Sequence, residues 1–219
     1  YGKKMVIIDT AGMRRKSRVK EDVEYYSNVR AITAIEQADI VLIVIDATTD
    51  ITEQDKKVAG LAHDAGKASI FVINKWDLVE KDENTINRYR QNIRNEFIFM
   101  QYAPMIFVSA KTGQRVERIL ELINFVMDQY TFRVKKRLLN ELVREATLMV
   151  EPPSIKGRKL KIYFATQTGI KPPTFSFFIN DRKLFHFSYM RYLENRLRET
   201  FGLEATPIII KSREKEASR

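Results

Sequence analysis

Cysteine is absent from the 219-residue sequence, and histidine occurs only as His63 and His186. Without cysteine there is no disulfide, zinc-thiolate site or cysteine nucleophile, and two histidines leave little material for a histidine metal site or a Ser-His-Asp triad. The longest uninterrupted apolar run, residues 40–45, is far shorter than the ~20 residues that a membrane-spanning helix needs. No signal-peptide pattern is visible. We therefore expect a soluble, cytoplasmic protein without a membrane span.

The positive charge is confined to one part of the chain. Hydrophobic residues make up 44% and charged residues 30%, a composition typical of folded proteins. The net charge is +10, yet residues 1–132 hold 19 basic and 19 acidic residues, whereas residues 133–219 hold 19 and 9. A basic part joined to a neutral one indicates polyanion binding, most often RNA or DNA. A basic surface that serves only solubility is the alternative.

The first 130 residues alternate between two kinds of segment. Short apolar, β-branched runs at residues 5–8, 40–45, 68–73 and 105–108 are each followed by an amphipathic stretch. This order predicts an α/β fold in which a doubly wound parallel sheet is covered by helices on both faces. We assign residues 1–130 to this domain.

A different order of elements follows residue 130. The pattern predicts a helix at 137–149, a basic loop at 151–159, strands at 160–167 and 174–179, a helix at 189–201 and a strand at 207–211. This order corresponds to a small α+β domain over residues 131–211 with its helices on one face of the sheet. Residues 212–219 are expected to form a polar tail that does not pack.

Three polar loops follow the predicted strands of the first domain. They are Asp9-Thr10-Ala11-Gly12, Asn74-Lys75-Trp76-Asp77 and Ser109-Ala110-Lys111. Taken singly, they are also compatible with a strand-to-loop turn and a helix cap. In order and spacing they resemble the nucleotide loops of the translation-factor-like GTPases, and the carboxyl ends of parallel strands are where such sheets bind ligands.

The second and third loops suit a guanine base. A carboxylate such as Asp77 can accept both N1–H and the exocyclic amino group of guanine, whereas adenine lacks that pair of donors. The alkyl stem of Lys75 can lie along the base, and Asn74 can bridge neighbouring loops. The backbone N–H of Ala110 can donate to the guanine carbonyl oxygen. GTP and GDP are therefore the predicted ligands.

The first loop suits phosphate and metal. Asp9 would hold magnesium through water, and the N–H of Gly12 can approach a γ-phosphate. Met13 stands where many GTPases place a glutamine that orients the attacking water, and a thioether cannot do this. Hydrolysis would then depend on a potassium ion, a partner or another loop, and we assign no catalytic side chain. The basic run at residues 14–20 is either an RNA contact or a solvated loop.

A phosphate-binding loop of the Gly-x-x-x-x-Gly-Lys-Ser/Thr type is missing from the sequence. In this fold it lies upstream of the position of Asp9, together with the central strand, the first helix and the first switch. A sheet without its central strand should show unpaired backbone edges and exposed apolar side chains. We therefore expect these residues to be the C-terminal portion of a longer protein.

The chain resembles the C-terminal portion of the Der (EngA) family of bacterial GTPases, which carry two G domains in tandem. The matching stretches are residues 9–16, 54–55, 59–60 and 74–78 in the G domain and 160–175, 178–180, 186–189, 192–198 and 206–208 in a KH-like domain. The resemblance implies a GTPase acting in assembly of the large (50S) ribosomal subunit. Its nucleotide state would control binding to ribosomal RNA and particles, and an upstream G domain of the same polypeptide would be a partner.

The KH-like part lacks the Gly-x-x-Gly loop with which ordinary KH domains clamp single-stranded nucleotides. Contact with RNA phosphates, or packing against a G domain, is more plausible. The basic candidates for phosphate contact are Lys156, Arg158, Lys159, Lys171, Arg191, Arg196 and Arg198, and each is also compatible with a solvated surface. The strand aromatics Tyr163, Phe164, Phe175, Phe177 and Phe178 can in principle stack bases, although core packing is the favoured interpretation.

Two hypotheses of different class follow. In the first, the intact protein is a switch in which GTP orders the segment after Gly12 and positions the basic domain. In the second, this polypeptide is a nucleotide-free RNA- or protein-binding fragment, since the phosphate-binding loop is absent. A relative that acts on the small subunit or in tRNA modification is a weaker third interpretation, because the former would keep Gly-x-x-Gly and the latter would not carry this tail.

Overall fold

The computed structural model describes residues 4–8 and 31–214. Among the described residues of the first domain, the first helix or strand is α1, over residues 31–37. It continues with β1 (Ile40–Asp46), α2 (Glu53–Asp64), β2 (Ala68–Asn74), α3 (Thr85–Glu96), β3 (Met105–Phe107) and α4 (Arg118–Tyr130), with single 3-10 turns at Trp76–Leu78 and Ile98–Met100. The strands pair in parallel in the order β1-β2-β3. The predicted α/β class is confirmed.

The central strand β2 contacts an apolar cluster on each of its two faces. Phe71 and Ile73 face one apolar cluster with residues of α2 and α3, and Ile70 and Val72 face another with residues of α4. Because both faces are buried, the strand is a continuous apolar run, as the sequence predicted. Helix α2 begins with a capping box, in which Thr52 and Asp55 satisfy each other's backbone N–H.

The free side of β1 is the exposed edge expected from the sequence. Among the described residues β1 pairs only with β2. Leu42 and Val44 on β1 are 39% and 52% exposed. The predicted strand at residues 5–8 was wrong: the segment forms no strand, and Val6 and Ile7 are each 89% exposed. The physical reason is that a strand needs a hydrogen-bonded neighbour, and no described strand pairs with this segment.

The second domain is the predicted small α+β unit. It contains α5 (Lys136–Met149), β4 (Ser154–Ile155), β5 (Arg158–Lys159), β6 (Ile162–Gly169), β7 (Thr174–Ile179), a 3-10 turn at Arg182–Leu184, α6 (Phe187–Phe201) and β8 (Ile209–Glu214). Strand β6 pairs antiparallel and β8 parallel with the central β7. Phe175 and Phe177 pack with residues of α5 and α6 in one apolar cluster. Asn140 of α5 bonds both backbone groups of Ala165, which closes that part of the β6 edge.

Two sequence expectations for this domain need correction. The basic loop contains a hairpin, because Lys156 (φ 51°) and Gly157 (φ 77°) turn the chain between β4 and β5. The last strand ends at Glu214 and not at Lys211, so the polar tail does not begin at residue 212. Pairing with the far end of β7 holds these last residues, and a Glu214 oxygen accepts the N–H of Arg182.

The two domains contact each other through specific bonds. The backbone N–H of Lys171 donates to the carbonyl of Tyr130, at the end of α4, at 2.9 Å. Ala205 packs into the apolar cluster beneath α4, and its N–H donates to Gln129 at 2.7 Å. Over residues 31–214, no helix is long and apolar enough to span a bilayer.

Candidate functional site

The carboxyl ends of β1, β2 and β3 bring two of the predicted loops together. The Ala47 N–H after β1 donates to the carbonyl of Asn74 at 2.9 Å. After β3, the Ala110 N–H donates to Asn74 Oδ1 at 2.9 Å. Asn74 therefore bridges the neighbouring loops, as predicted. Because Ala110 already donates to Asn74, its N–H is not free in this state to meet a guanine carbonyl oxygen.

Lys75 is fixed by a carboxylate that the sequence interpretation missed. Lys75 Nζ lies 2.5 Å from Asp46 Oδ2, and the Lys75 backbone is left-handed at φ 61°. Asp46 also accepts the N–H and hydroxyl of Thr48 at 2.9 and 2.7 Å. The Lys75 ammonium, followed by Thr48, lowers the pKa of Asp46 to about 2. The sequence did contain a signal for Asp46, because it is a carboxylate at the carboxyl end of the first long apolar run.

The buried side chain of Trp76 anchors the Asn74–Asp77 loop in the core of the domain. This side chain is 1% exposed and packs against Tyr89 and Phe107 with ring centroids 5.0 and 4.5 Å away. The backbone N–H of Trp76 donates to the carbonyl of Val108 at 3.0 Å. The predicted site residue Trp76 therefore positions its neighbours and has no side-chain surface to offer a ligand.

Asp77 has a carboxylate oxygen that can accept a hydrogen bond from a ligand. Its Oδ1 is buried and has no hydrogen-bond partner within the described residues. A hydrogen bond from Ser109, and then the nearby Lys111 and Lys81 ammonium groups, lower the pKa of Asp77, so the group is ionised at neutral pH. An unpaired buried acceptor is costly. A ligand with adjacent N–H donors, such as guanine, would satisfy it.

The third loop is ordered by its own hydrogen bonds. Ser109 is fully buried, its Oγ accepts the N–H of Thr112 at 3.1 Å, and its N–H donates to Gln114 at 3.1 Å. Ala110 and Lys111 are exposed beside it. Asp9, Thr10, Ala11, Gly12 and Met13 lie outside the described residues. Within the described ranges no three acidic or histidine side chains cluster as a metal site.

The β4–β5 hairpin displays a basic tip. Lys156 and Arg158 are exposed, and neither forms an ion pair with a described residue. Lys159 instead lies 2.5 Å from Glu151, and its carbonyl accepts from Asn180. The hairpin therefore presents two cations on a backbone fixed by its turn.

Four of the basic candidates have acidic partners within the chain: Lys159, as described above, and Lys171, Arg196 and Arg198. Lys171 forms an ion pair with Asp39 at 2.7 Å across the domain contact. Arg198 donates to Glu194 and to the carbonyls of Leu203 and Thr206, all at 2.7 Å. Arg196 lies 3.3 Å from Glu199 and has a buried Nε. Arg191 is exposed.

The strand aromatics divide between two faces of the sheet. Phe175 and Phe177 are fully buried, which confirms core packing for these two. Phe164 and Phe178 lie on the other face and stack on each other, outside the apolar cluster, and Tyr163 is 50% exposed.

Comparison with known families matches both domains. The model for the KH-domain-like region of EngA bacterial GTPase enzymes, C-terminal, matches residues 133–213. The model for the elongation factor Tu GTP binding domain matches residues 2–129. Each match falls on one of the two structural domains.

Similar proteins extend over nearly the whole chain. GTPase Der of Ruminiclostridium cellulolyticum is 58% identical over 217 residues, 98% of this chain and 49% of the relative. GTPase Der of Desulfitobacterium hafniense is 55% identical over 218 residues, 100% of this chain and 49% of the relative. The chain thus spans about half the length of these curated relatives. A structure of Era with MgGDPNP and nucleotides 1506–1542 of 16S ribosomal RNA aligns at a TM-score of 0.41 with 18% identity, covering 88% of this chain and 70% of that one.

Proposed function

The chain belongs to the EngA (GTPase Der) family, and on this basis we propose that the protein containing it binds and hydrolyses GTP. The observation that carries the proposal is the buried, unpaired Oδ1 of Asp77 at the end of β2. It is ionised at neutral pH and flanked by two loops tied together through Asn74 and Ala110.

Base recognition follows from the geometry of these loops. Guanine would supply N1–H and the exocyclic N–H to Asp77, while adenine would leave the carboxylate unpaired. Lys75, held by Asp46, would lay its alkyl stem on the base. The guanine carbonyl oxygen would share or replace the bond that the Ala110 N–H makes to Asn74.

The phosphate end is assigned to the first loop. Asp9 is proposed to hold magnesium through water, and the Gly12 N–H to contact the γ-phosphate. Magnesium would neutralise phosphate charge during transfer. With Met13 at the usual glutamine position, hydrolysis is proposed to depend on potassium, a partner or another loop.

The basic domain is proposed to bind ribosomal RNA in assembly of the large (50S) subunit, in the cytoplasm and under control of the nucleotide state. Its support is the charge excess of residues 133–219 and the exposed cations Lys156, Arg158 and Arg191. A domain boundary near residue 130 is supported by the extents of the two family models. An upstream G domain is the proposed intramolecular partner.

A second candidate function is RNA or protein binding without nucleotide. It is favoured by the charge of residues 133–219, which hold 19 basic and 9 acidic residues. The first candidate function predicts that guanine nucleotides bind, and the second predicts that they do not.

The test is a titration of the 219-residue chain with fluorescent GDP, with unlabelled GDP and ADP as competitors. Guanine-specific binding, displaced by GDP and not by ADP, supports the nucleotide switch. Absence of binding, with RNA affinity retained, supports the second candidate for this polypeptide.

A further inference from the structure

The outer face of the β6–β7–β8 sheet, which is turned away from the apolar cluster, carries an aromatic pair. Phe164 and Phe178 are register partners on β6 and β7, and their rings stack with centroids 4.2 Å apart and planes 16° apart. Both rings are partly exposed, and neither belongs to the described core of this domain. The inner-face Phe175 and Phe177 are fully buried. The outer pair is therefore available to a ligand in a way the inner pair is not.

Cations flank this aromatic pair. Lys136 Nζ lies 5.8 Å from the centroid of Phe164, and since Phe178 covers one face of that ring, the ammonium lies over the other. The second face of Phe178 is directed toward β8, where Arg213 is its register partner. Lys211, two residues earlier, shares this outer face and pairs in register with Ser176. Phe178 is therefore a partly exposed ring beside two cations.

The two cations of β8 are open to solvent. Lys211 and Arg213 are exposed, and neither forms an ion pair with a residue in the described ranges. The neighbouring acid, Glu214, accepts the N–H of Arg182. At the other edge of the face, a groove between α5 and β6, lined by Asn140, Arg144 and Phe164 among others, gives an extended chain a path past the sheet.

A ring face beside cations matches the chemistry of an unpaired nucleotide. Bases stack on aromatic side chains, and the phosphates on either side contact lysine and arginine. The charge of residues 133–219, with 19 basic and 9 acidic residues, favours a polyanion over a protein surface. Paired bases in a duplex cannot reach Phe178, so such a face distinguishes single strands from duplexes.

We propose that the outer face, defined by Phe164, Phe178, Lys211 and Arg213, binds single-stranded RNA by stacking one unpaired base on Phe178. Lys211 and Arg213 contact the phosphates that flank this base. The inference rests on the proposed RNA-binding function and adds a site separate from the β4–β5 hairpin, which contacts phosphates of any RNA.

The first experiment measures affinity of the whole chain for two labelled RNAs, a decauridine strand and a fully paired hairpin. Phe178→Leu keeps an apolar side chain and removes the ring. We expect about tenfold weaker decauridine binding and unchanged affinity for the hairpin RNA. Lys211→Gln with Arg213→Gln should lower the salt slope for decauridine by about 1.4. Lys156→Gln with Arg158→Gln is the matched control, expected to weaken both RNAs.

A second experiment does not depend on how well Phe178→Leu folds. Phe178→Trp keeps an aromatic ring and adds a fluorophore at the site, while the chain's natural Trp76 is buried and gives the background signal in the parent protein. We expect decauridine to quench the fluorescence of the F178W variant and to leave the parent signal unchanged.

The results separate the two proposals. If the parent chain binds neither RNA, the proposed RNA-binding function fails, and this inference fails with it. If the parent binds RNA and the K156Q/R158Q variant weakens it, while Phe178→Leu has no effect and F178W is not quenched, only this inference is overturned. A face that serves a protein partner would give this second result.

Discussion

Lys75 and Asp46 form an ion pair, Nζ to Oδ2 at 2.5 Å, that joins the ends of two adjacent parallel strands. The pair fixes the side chain of Lys75, whose backbone is left-handed at φ 61° directly before Trp76 and Asp77. Asp46 is thus a positioning residue for the proposed base site, because it acts through Lys75.

Replacement of Asp46 by asparagine should weaken guanine nucleotide binding. The change keeps the shape and removes the charge that orients Lys75, so we expect about a tenfold loss of GDP affinity, since hydrogen bonds to charged groups contribute about 1.5–3 kcal/mol. Asp50→Asn makes the same charge change at an exposed position nearby and serves as the control. Equal affinities of the two variants would remove Asp46 from the site.

The same pair predicts a dependence of stability on pH. The pKa of Asp46 is lowered to about 2 from 3.8, so the ionised form stabilises the fold at pH above 4, and this contribution is lost as pH falls from about 4 through 2. Urea unfolding of the parent and of Asp46→Asn should therefore differ at pH 6 and converge toward pH 2. A constant difference across this range would contradict the assigned pKa.

Asp77→Asn should change which base is preferred. An amide presents a donor as well as an acceptor, so it cannot accept both guanine N–H groups, and it can donate to the carbonyl that xanthine carries at the same ring position. We expect GDP affinity to fall by more than tenfold and XDP affinity to rise. Competition of both diphosphates against a labelled analogue measures this, and unchanged base selectivity would contradict the account of Asp77.

The hairpin should determine how RNA affinity responds to salt. Lys156 and Arg158 are exposed and unpaired among the described residues, so each can release counterions on meeting a phosphate. Replacement of both by glutamine should lower the slope of log affinity against log salt by up to about 2. Arg137→Gln with Lys135→Gln removes equal charge elsewhere, and an equal effect of that pair would show that the hairpin contacts are not specific.

The features that depend on local sequence, such as a buried strand and a loop of fixed residue order, could be predicted from the sequence. Strand β2 was found because burial on both faces makes it continuously apolar, and the Asn74 and Asp77 loop was found because its residue types have a fixed order. The role of Lys171 was missed because its partner is set by tertiary structure: Asp39 lies 132 positions from Lys171. For Arg198, the pair with Glu194 four residues earlier on the same helix was a local signal that the sequence interpretation did not use. The β4–β5 turn was missed although Lys156-Gly157 is a turn signal, because Pro152 and Pro153 favoured a loop.

Arg191 and Arg198 on α6 should respond in opposite ways to the same substitution. Arg198 donates to Glu194, Leu203 and Thr206 and lies over the ring of Tyr102 across the domain contact. Arg198→Gln should therefore lower the free energy of unfolding by about 2 kcal/mol and leave RNA affinity unchanged where the protein is folded. Arg191 is exposed, so Arg191→Gln should leave the unfolding midpoint unchanged and weaken RNA binding, with a salt slope lower by up to about 1. Denaturant unfolding and RNA titration of both variants test this. Weaker RNA binding by the folded Arg198→Gln variant would show that Arg198 contacts RNA.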